Sequence, residues 1–588
     1  MKANGKDNLS PVSKIANKPV IRKIARIRND ATGQYVEIIE FKVAGDKTAR
    51  LELPPAVVHD IRQLRDKLWN AGTVLPAGPN ERDDLLRTLA DSEPPKELVY
   101  AAETGWLDEK WEAFVEIDGV IGKAPTIIGV KRADDIHDPT GQVSKSGTAE
   151  SWSCIAERAR QSSILMLAIC AAFAAPLLSA LRYRSFGINI FGKSRIGKTI
   201  ATLIGASVRG IGKVEDLISW AITEARLEQR LPEFKDSLFP IDDLMKMGGR
   251  DREKYQRARN LAYLIEQGHQ TARHSAFTQQ HGGAHRRYLS ILLTSCEFSI
   301  AELAQRSDLE RLPGEAVRLI DQPALLDGRD HIFDRQTQDM NVEEFTRWKA
   351  DIFSDISRDC AANHVAVFER HIESLIHHGR EKISTYVQRR IAEFTNHVGE
   401  QTDGDIARDI AGKFGLLYGA GRLAIKLKLV PWTKEELLDA ITKCYLAARD
   451  LLPDTGVALR RGIQALKQRL QALPERSELP KGAQYKDLDG YRTREAAYRC
   501  IIKREAFNAI FPNTSDRALV LDWLLQKRII TTAESRKAGP GSSPKPKEQF
   551  DWPDGKRRRS YEIRLPRVRA TPGKQVRRPR KGERAIAA

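Results

Sequence analysis

The chain has 588 residues, 41% of them hydrophobic and 30% charged, the composition of a soluble globular protein. That length exceeds what one hydrophobic core organises, so roughly three or four domains are expected. The formal net charge is +18, and the six cysteines lie far apart with no C-x-x-C pair, which argues against a zinc ribbon or disulfide framework and fits a reducing cytosol.

Residues 1–20 lack an apolar core, so no secretory signal is read there, and they are expected to be disordered. Residues 21–150 read as a β-rich N-terminal domain. "QYVEIIEFKVA" and "ARLELP" alternate as two strands about a turn at "GDK", a helix is expected over "AVVHDIRQLRDKLWNAG", and "KWEAFVEIDGVIG" adds further strand pattern. The run "ILMLAICAAFAAPLLSAL" (164–181) is long enough for a membrane span, but it is alanine-rich, carries Pro176, and runs into a strand. A buried helix packed on a sheet accounts for it better, and no membrane partner is expected.

Residues 151–334 carry the motif that organises the reading. "FGKSRIGKT" fits G-x-x-x-x-G-K-[ST], with Gly192, Lys193, Ser194, Arg195, Ile196, Gly197, Lys198 and Thr199 as the candidate nucleotide cradle. The glycines let successive amides turn toward a phosphate, Lys198 would reach the β- and γ-phosphates of ATP, and Thr199 would bind Mg²⁺. The setting is the required one: "SFGINIF" reads as a strand before the loop, and "TIATLIGASVRG" as a helix after it, stopped at Gly210.

An ATPase of this kind needs an acidic strand end as well. "SLFPIDDLMK" supplies Asp242 for the outer sphere of Mg²⁺ and Asp243 to orient water. A helix cap is the competing reading of the two aspartates. In "YLSILLTSCEFSI", Thr294 and Ser295 close an apolar run where a polar sensor would lie, and Glu297 follows. Arg273, Arg311 and Arg318 are candidates for an arginine that meets the γ-phosphate, a contribution of about 10³ to 10⁵ in rate. His269, His274, His281 and His285 cluster, yet no cysteine lies near them, and "QQHGGAHRR" reads as a flexible loop rather than a metal site.

Residues 335–478 read as a helical domain. Residues 479–566 give helix, helix and a short strand pair ("REAFNAI", "DRALVLDWLLQKRIIT", "RRSYEIRLP"), a pattern that fits a winged helix. Residues 567–588 form a basic disordered tail. From Asp551 to the end there are 13 Lys and Arg against 4 Asp and Glu, so 13 − 4 gives +9, half the net charge. Arginine-dense tails bind polyanions by releasing counterions.

Together, "TGWLDEKWEAFV", "GTAESWSCIAERARQSSILMLAICAAFAAPLL", "GKSRIGKT", "SWAITEARLE", "PIDDL", "GHQTARHS", "LTSCEFSI", "GEAVRLIDQPA" and "AGKFGLLYGAGRLAIKLKLVPW" resemble the helicase-like domain catalogued as a domain of unknown function, family 927, over roughly residues 95 to 440. Members occur in prophages, plasmids and mobile islands, and some resemble self-loading helicases related to minichromosome-maintenance ATPases. The resemblance implies an AAA+-type ring that couples ATP hydrolysis to movement on DNA. By motif position it implies Gly192, Lys198, Thr199, Asp242 and Asp243 as the nucleotide site, with Arg318, then Arg273, as the arginine acting on a neighbouring subunit. Asp243 stands where many ATPases carry glutamate.

The expectation is therefore a multidomain α/β protein, cytoplasmic, with ATP and Mg²⁺ as cofactors. DNA, copies of itself in a ring and a separate primase are the expected partners. The reading is a replicative helicase of a mobile element. The alternative is a DNA-binding initiator or regulator whose ATP site only switches assembly.

Overall fold

The computed structural model describes residues 21–43, 47–131, 140–269, 288–336, 339–399, 404–452, 455–479, 485–494, 498–511, 514–532 and 546–565. The chain divides into two compact units, residues 1–400 with 405–452, and residues 401–404 with 453–588.

The first unit opens with a five-stranded sheet built from β1 (Arg22–Asn29), β2 (Tyr35–Lys42), β3 (Thr48–Leu53), β4 (Glu97–Ala101) and β8 (Ile127–Val130), in the order β3-β2-β1-β4-β8. The alternation read in β2 and β3 is an antiparallel pair, Glu37 opposite Leu53. It turns Ile39, Phe41 and Leu53 onto Leu64, Leu68, Leu86 and Leu89 of two helices. The helix expected across residues 56–72 is broken into Pro55–Val58 and Ile61–Asn70, because the Asp60 carboxylate accepts from the amides of Arg62 and Gln63 and starts a new helix. A second, three-stranded sheet holds β5 (Gly105–Trp106), β6 (Ala113–Glu116) and β7 (Gly119–Gly122).

The larger core of this unit is a five-stranded parallel sheet. Its strands are β9 (Phe186–Phe191), β10 (Ile218–Ser219), β11 (Leu238–Asp242), β12 (Ile291–Cys296) and β13 (Leu319–Pro323), in the order β10-β11-β12-β9-β13. Every neighbouring pair is parallel. A parallel sheet is covered on both faces, so its strands read as apolar runs. β9, β11 and β12 are buried almost throughout. The apolar run before β9 is a core element: all residues of the helix Ser163–Ala174 are buried, and 83% of the apolar window within Ser163–Leu181 lies inside the fold. It packs on the helices Lys198–Arg209, Asp405–Lys426 and Lys434–Arg449.

The second unit carries a four-stranded antiparallel sheet of β14 (Gly490–Arg494), β15 (Tyr498–Lys503), β16 (Gln549–Asp551) and β17 (Arg557–Leu565), ordered β14-β15-β17-β16. The expected helices are present as Arg504–Ile510 and Thr514–Gln526, and β17 lies where the second strand of the pair was expected, but its partner β16 falls within residues 534–556, the stretch read as the loop joining the pair. Strands β14 and β15 were not expected. Cys500 and Ile502 pack under the helices with Phe507 and Val520, whereas Ile501 packs with Tyr491 and Trp552 on the other face. A strand buried on both faces loses the alternation by which strands are recognised.

Candidate functional site

The loop after β9 is shaped by backbone conformations that favour glycine. Gly192 has φ 151° and Gly197 has φ 108°, while Arg195, between them, also adopts a positive φ of 64°. A Cβ on Gly197 would stand 2.6 Å from Phe353 Cζ, so both conformation and space select glycine there. The helix Lys198–Arg209 starts directly after it and stops at Gly210, also left-handed at φ 108°. Within the loop, Ile196 tucks inward while Lys193, Ser194 and Arg195 are exposed. Thr199, on the first helical turn, is partly exposed. Lys198 Nζ reaches back and donates to the carbonyls of Gly192 and Lys193, both at 2.8 Å. Burial holds its pKa below the usual lysine range, with Asp243 and Glu297 opposing that shift. Ser194 Oγ donates to Glu297.

The aspartates lie at the same sheet edge because the strands are parallel and in register: Ile241 pairs with Thr294, and Cys296 with Phe191. Asp242, the last residue of β11, is 1% exposed. Its Oδ1 accepts from Ser295 Oγ at 3.1 Å, and its Oδ2 accepts from Lys246 Nζ at 2.6 Å. Asp243 has φ 49°, donates its amide to Ser295 Oγ at 3.0 Å, and accepts from the Met245 amide at 3.0 Å. It thus caps the short turn Leu244–Lys246, as the competing sequence reading held. Burial pushes its carboxyl above the usual range, the Met245 amide opposes this, and Asp242 adds to it.

The remaining candidates fall elsewhere. Thr294 is 1% exposed, and its hydroxyl accepts from Trp220 Nε1 at 2.7 Å. Successive strand residues face opposite sides, so Ser295, not Thr294, touches the aspartates. Arg318 ends the helix Pro313–Arg318 and precedes β13. Leu319 pairs with Gly187, so Arg318 sits at the opposite sheet edge from its own loop, roughly 13 Å along the strand. Its Nε donates to Glu266 at 2.6 Å, its Nη1 to the Gly314 carbonyl at 2.6 Å, and its guanidinium lies 4.7 Å from the centre of the Tyr263 ring. The Arg311 side chain is 8% exposed and bound to Asp321 and the Leu319 carbonyl. Arg273, His274, His281 and His285 lie outside the described residues, among which no cluster of histidine, cysteine and acidic residues is placed to hold a metal. Sequence reading missed Lys246 and Trp220. The four-residue spacing of Asp242 and Lys246 was the available signal for the first.

Chemically, the loop amides with Lys198 form a donor set suited to an anion. Asp242 and Thr199 offer oxygens of the kind a hard divalent cation takes. Asp243, shifted upward, is the carboxylate best suited to accept a proton.

The model of the family described as "Domain of unknown function (DUF927)" matches residues 1–284, a little under half of the chain. The match starts earlier than the resemblance implied and ends before β12. No curated protein matches the chain. Among solved structures, "SCCmec type IV Cch - active helicase" is similar over 93% of this chain and 93% of that one, with 15% identity and a TM-score of 0.50, a likeness of fold. The apo structure of the NrS-1 C-terminal region aligns with 73% of this chain and 92% of that one at 9% identity, but its TM-score of 0.24 carries no argument.

Proposed function

We propose that the chain is an ATP-dependent DNA helicase or translocase of a phage, plasmid or mobile element, with a P-loop AAA+-type core. The observation that carries this reading is the parallel order β10-β11-β12-β9-β13. It sets the glycine loop after β9 and the acidic end of β11 at one edge, with only β12 between them. Ligands of open parallel sheets bind at that edge.

In this reading the amides from Gly192 to Gly197 and the Lys198 ammonium bind the β- and γ-phosphates of ATP, and Lys198 leaves the two carbonyls it now caps. Thr199 and Asp242 would hold Mg²⁺, which would supply positive charge to the phosphate oxygens. Asp243 orients water and takes its proton, and Ser295 fixes both aspartates. Arg318, remote from its own loop, serves a neighbouring copy in a ring once Glu266 releases it. Residues 479–566, within the second unit, are the proposed winged helix, and the basic tail 567–588 is the proposed first contact with DNA. A cytoplasmic setting and a separate primase complete the proposal.

One observation favours the alternative, an ATP-switched initiator or regulator: Asp243 is short and already engaged as a cap, which suits slow turnover. Two assays separate the readings, ATP turnover with and without single-stranded DNA, and strand displacement on a forked duplex. DNA-stimulated turnover with displacement is expected. Turnover without displacement would favour the regulator.

A further inference from the structure

Both oxygens of the buried Asp242 carboxylate are taken. Ser295 Oγ donates to one, and Lys246 Nζ stands 2.6 Å from the other. The two partners differ in freedom. Ser295 is 1% exposed and fixed in a strand, whereas the Lys246 side chain is 48% exposed and rides on the short turn Leu244–Lys246. A buried carboxylate without a counter-charge is strongly disfavoured. Lys246 supplies that charge, and a half-exposed lysine can return its ammonium to water at little cost.

We propose that Lys246 is a resident counter-ion that occupies the metal-facing oxygen of Asp242 in the nucleotide-free protein and is displaced when a divalent cation enters with the nucleotide. The proposal rests on the nucleotide-site reading above and makes Lys246 a residue that sets metal affinity by competition. It also links the two aspartates. The turn that carries Lys246 is capped by Asp243 through the Met245 amide, so recruitment of Asp243 by water loosens the turn and favours the displaced lysine.

Mn²⁺ is titrated into the full chain in the presence of a non-hydrolysable ATP analogue, with free Mn²⁺ read by electron paramagnetic resonance. Analogue binding in EDTA is measured in parallel. Lys246→Met should bind Mn²⁺ about fivefold more tightly than the wild type, the scale of one partly exposed ion pair. Lys246→Arg, which keeps the counter-charge, should stay within about twofold of it. Asp242→Asn should lose the site, and metal-free analogue binding should be the same in wild type and Lys246→Met. Unchanged or weaker Mn²⁺ binding in Lys246→Met, with the Asp242 dependence intact, overturns the role of Lys246 alone. Weaker metal-free analogue binding in Lys246→Met overturns it too, because the lysine would then be serving the phosphates. Absence of analogue-dependent Mn²⁺ binding in every protein overturns both this proposal and the nucleotide-site reading.

Discussion

The loop edge of the parallel sheet and the flank around β13 both concentrate charge, but they hold it differently. At the loop edge, Lys198 rests on two backbone carbonyls and Lys246 on one carboxylate, contacts that an incoming ligand can replace. On the flank, Asp321 takes Arg311 together with the Asn189 amide and the backbone amides of Ile300 and Ala301, a closed buried network. Arg318 lies between these extremes: its side chain is 23% exposed and its partner Glu266 is shared with Arg184. Arginines that look equivalent in sequence therefore differ in whether they can leave their partners.

The largest test of that contrast sets Arg318 beside Arg311. Arg318→Ala should keep nucleotide binding near normal and lower hydrolysis by about 10³. Mixing it with Lys198→Ala subunits should restore part of the activity, because some interfaces then pair an intact loop with an intact arginine. Arg311→Ala should instead destabilise the fold by about 3 kcal/mol, since it strands a buried carboxylate. Urea unfolding beside the hydrolysis assay checks both. No recovery at any ratio, with mixed rings formed, removes Arg318 from the trans role.

Asp243→Asn should lower hydrolysis by about 10² and leave nucleotide bound. Asparagine tolerates the positive φ and still accepts from the Met245 amide, so a loss of stability would count against the chemical role. Asp243→Glu is the partner variant, and faster turnover there would show that the short side chain limits rate.

Asp236, buried just before β11, is pushed up to about 7 by desolvation, against Lys235 and the Trp106 amide. The folded state thus keeps its proton to higher pH than the unfolded state. Stability from this group is full below about 4, falls as pH rises toward 7, and is level above. Asp236→Asn should abolish that slope. The stability difference between wild type and variant should move by about 2 kcal/mol between pH 5 and pH 8 in urea titrations. No movement would place the carboxyl in contact with water.

Smallest is the pair of neighbours on β12. Thr294→Val should cost about 1 kcal/mol through the lost Trp220 contact and leave hydrolysis nearly unchanged. Ser295→Ala should lower hydrolysis more than stability. The reverse result would return the sensor role to Thr294.

How much of this was legible follows from the range of the forces involved. Gly192 and Gly197 were legible because positive φ at fixed spacing is a local demand. The helix Ser163–Ala174 was legible because its apolar character is continuous. Asp242 and Asp243 were found from the strand before them. The turn of Thr294 toward Trp220 and the separation of Arg311 from Arg318 were not, since each depends on partners far away in the chain. Strand β15 was hidden because burial on both faces erased its period.

The proposed binding of Mg²⁺ and ATP at the loop edge is checked by equilibrium titration of a fluorescent ATP analogue into wild type, Lys198→Ala and Asp242→Asn. Saturable binding of one analogue per chain is expected in the wild type. Lys198→Ala should bind at least about tenfold more weakly while unfolding at nearly the wild-type temperature, because its ammonium is desolvated and held only by carbonyls. Asp242→Asn should lose the dependence on Mg²⁺. Equal binding by all three proteins, or none by the folded wild type, would contradict it.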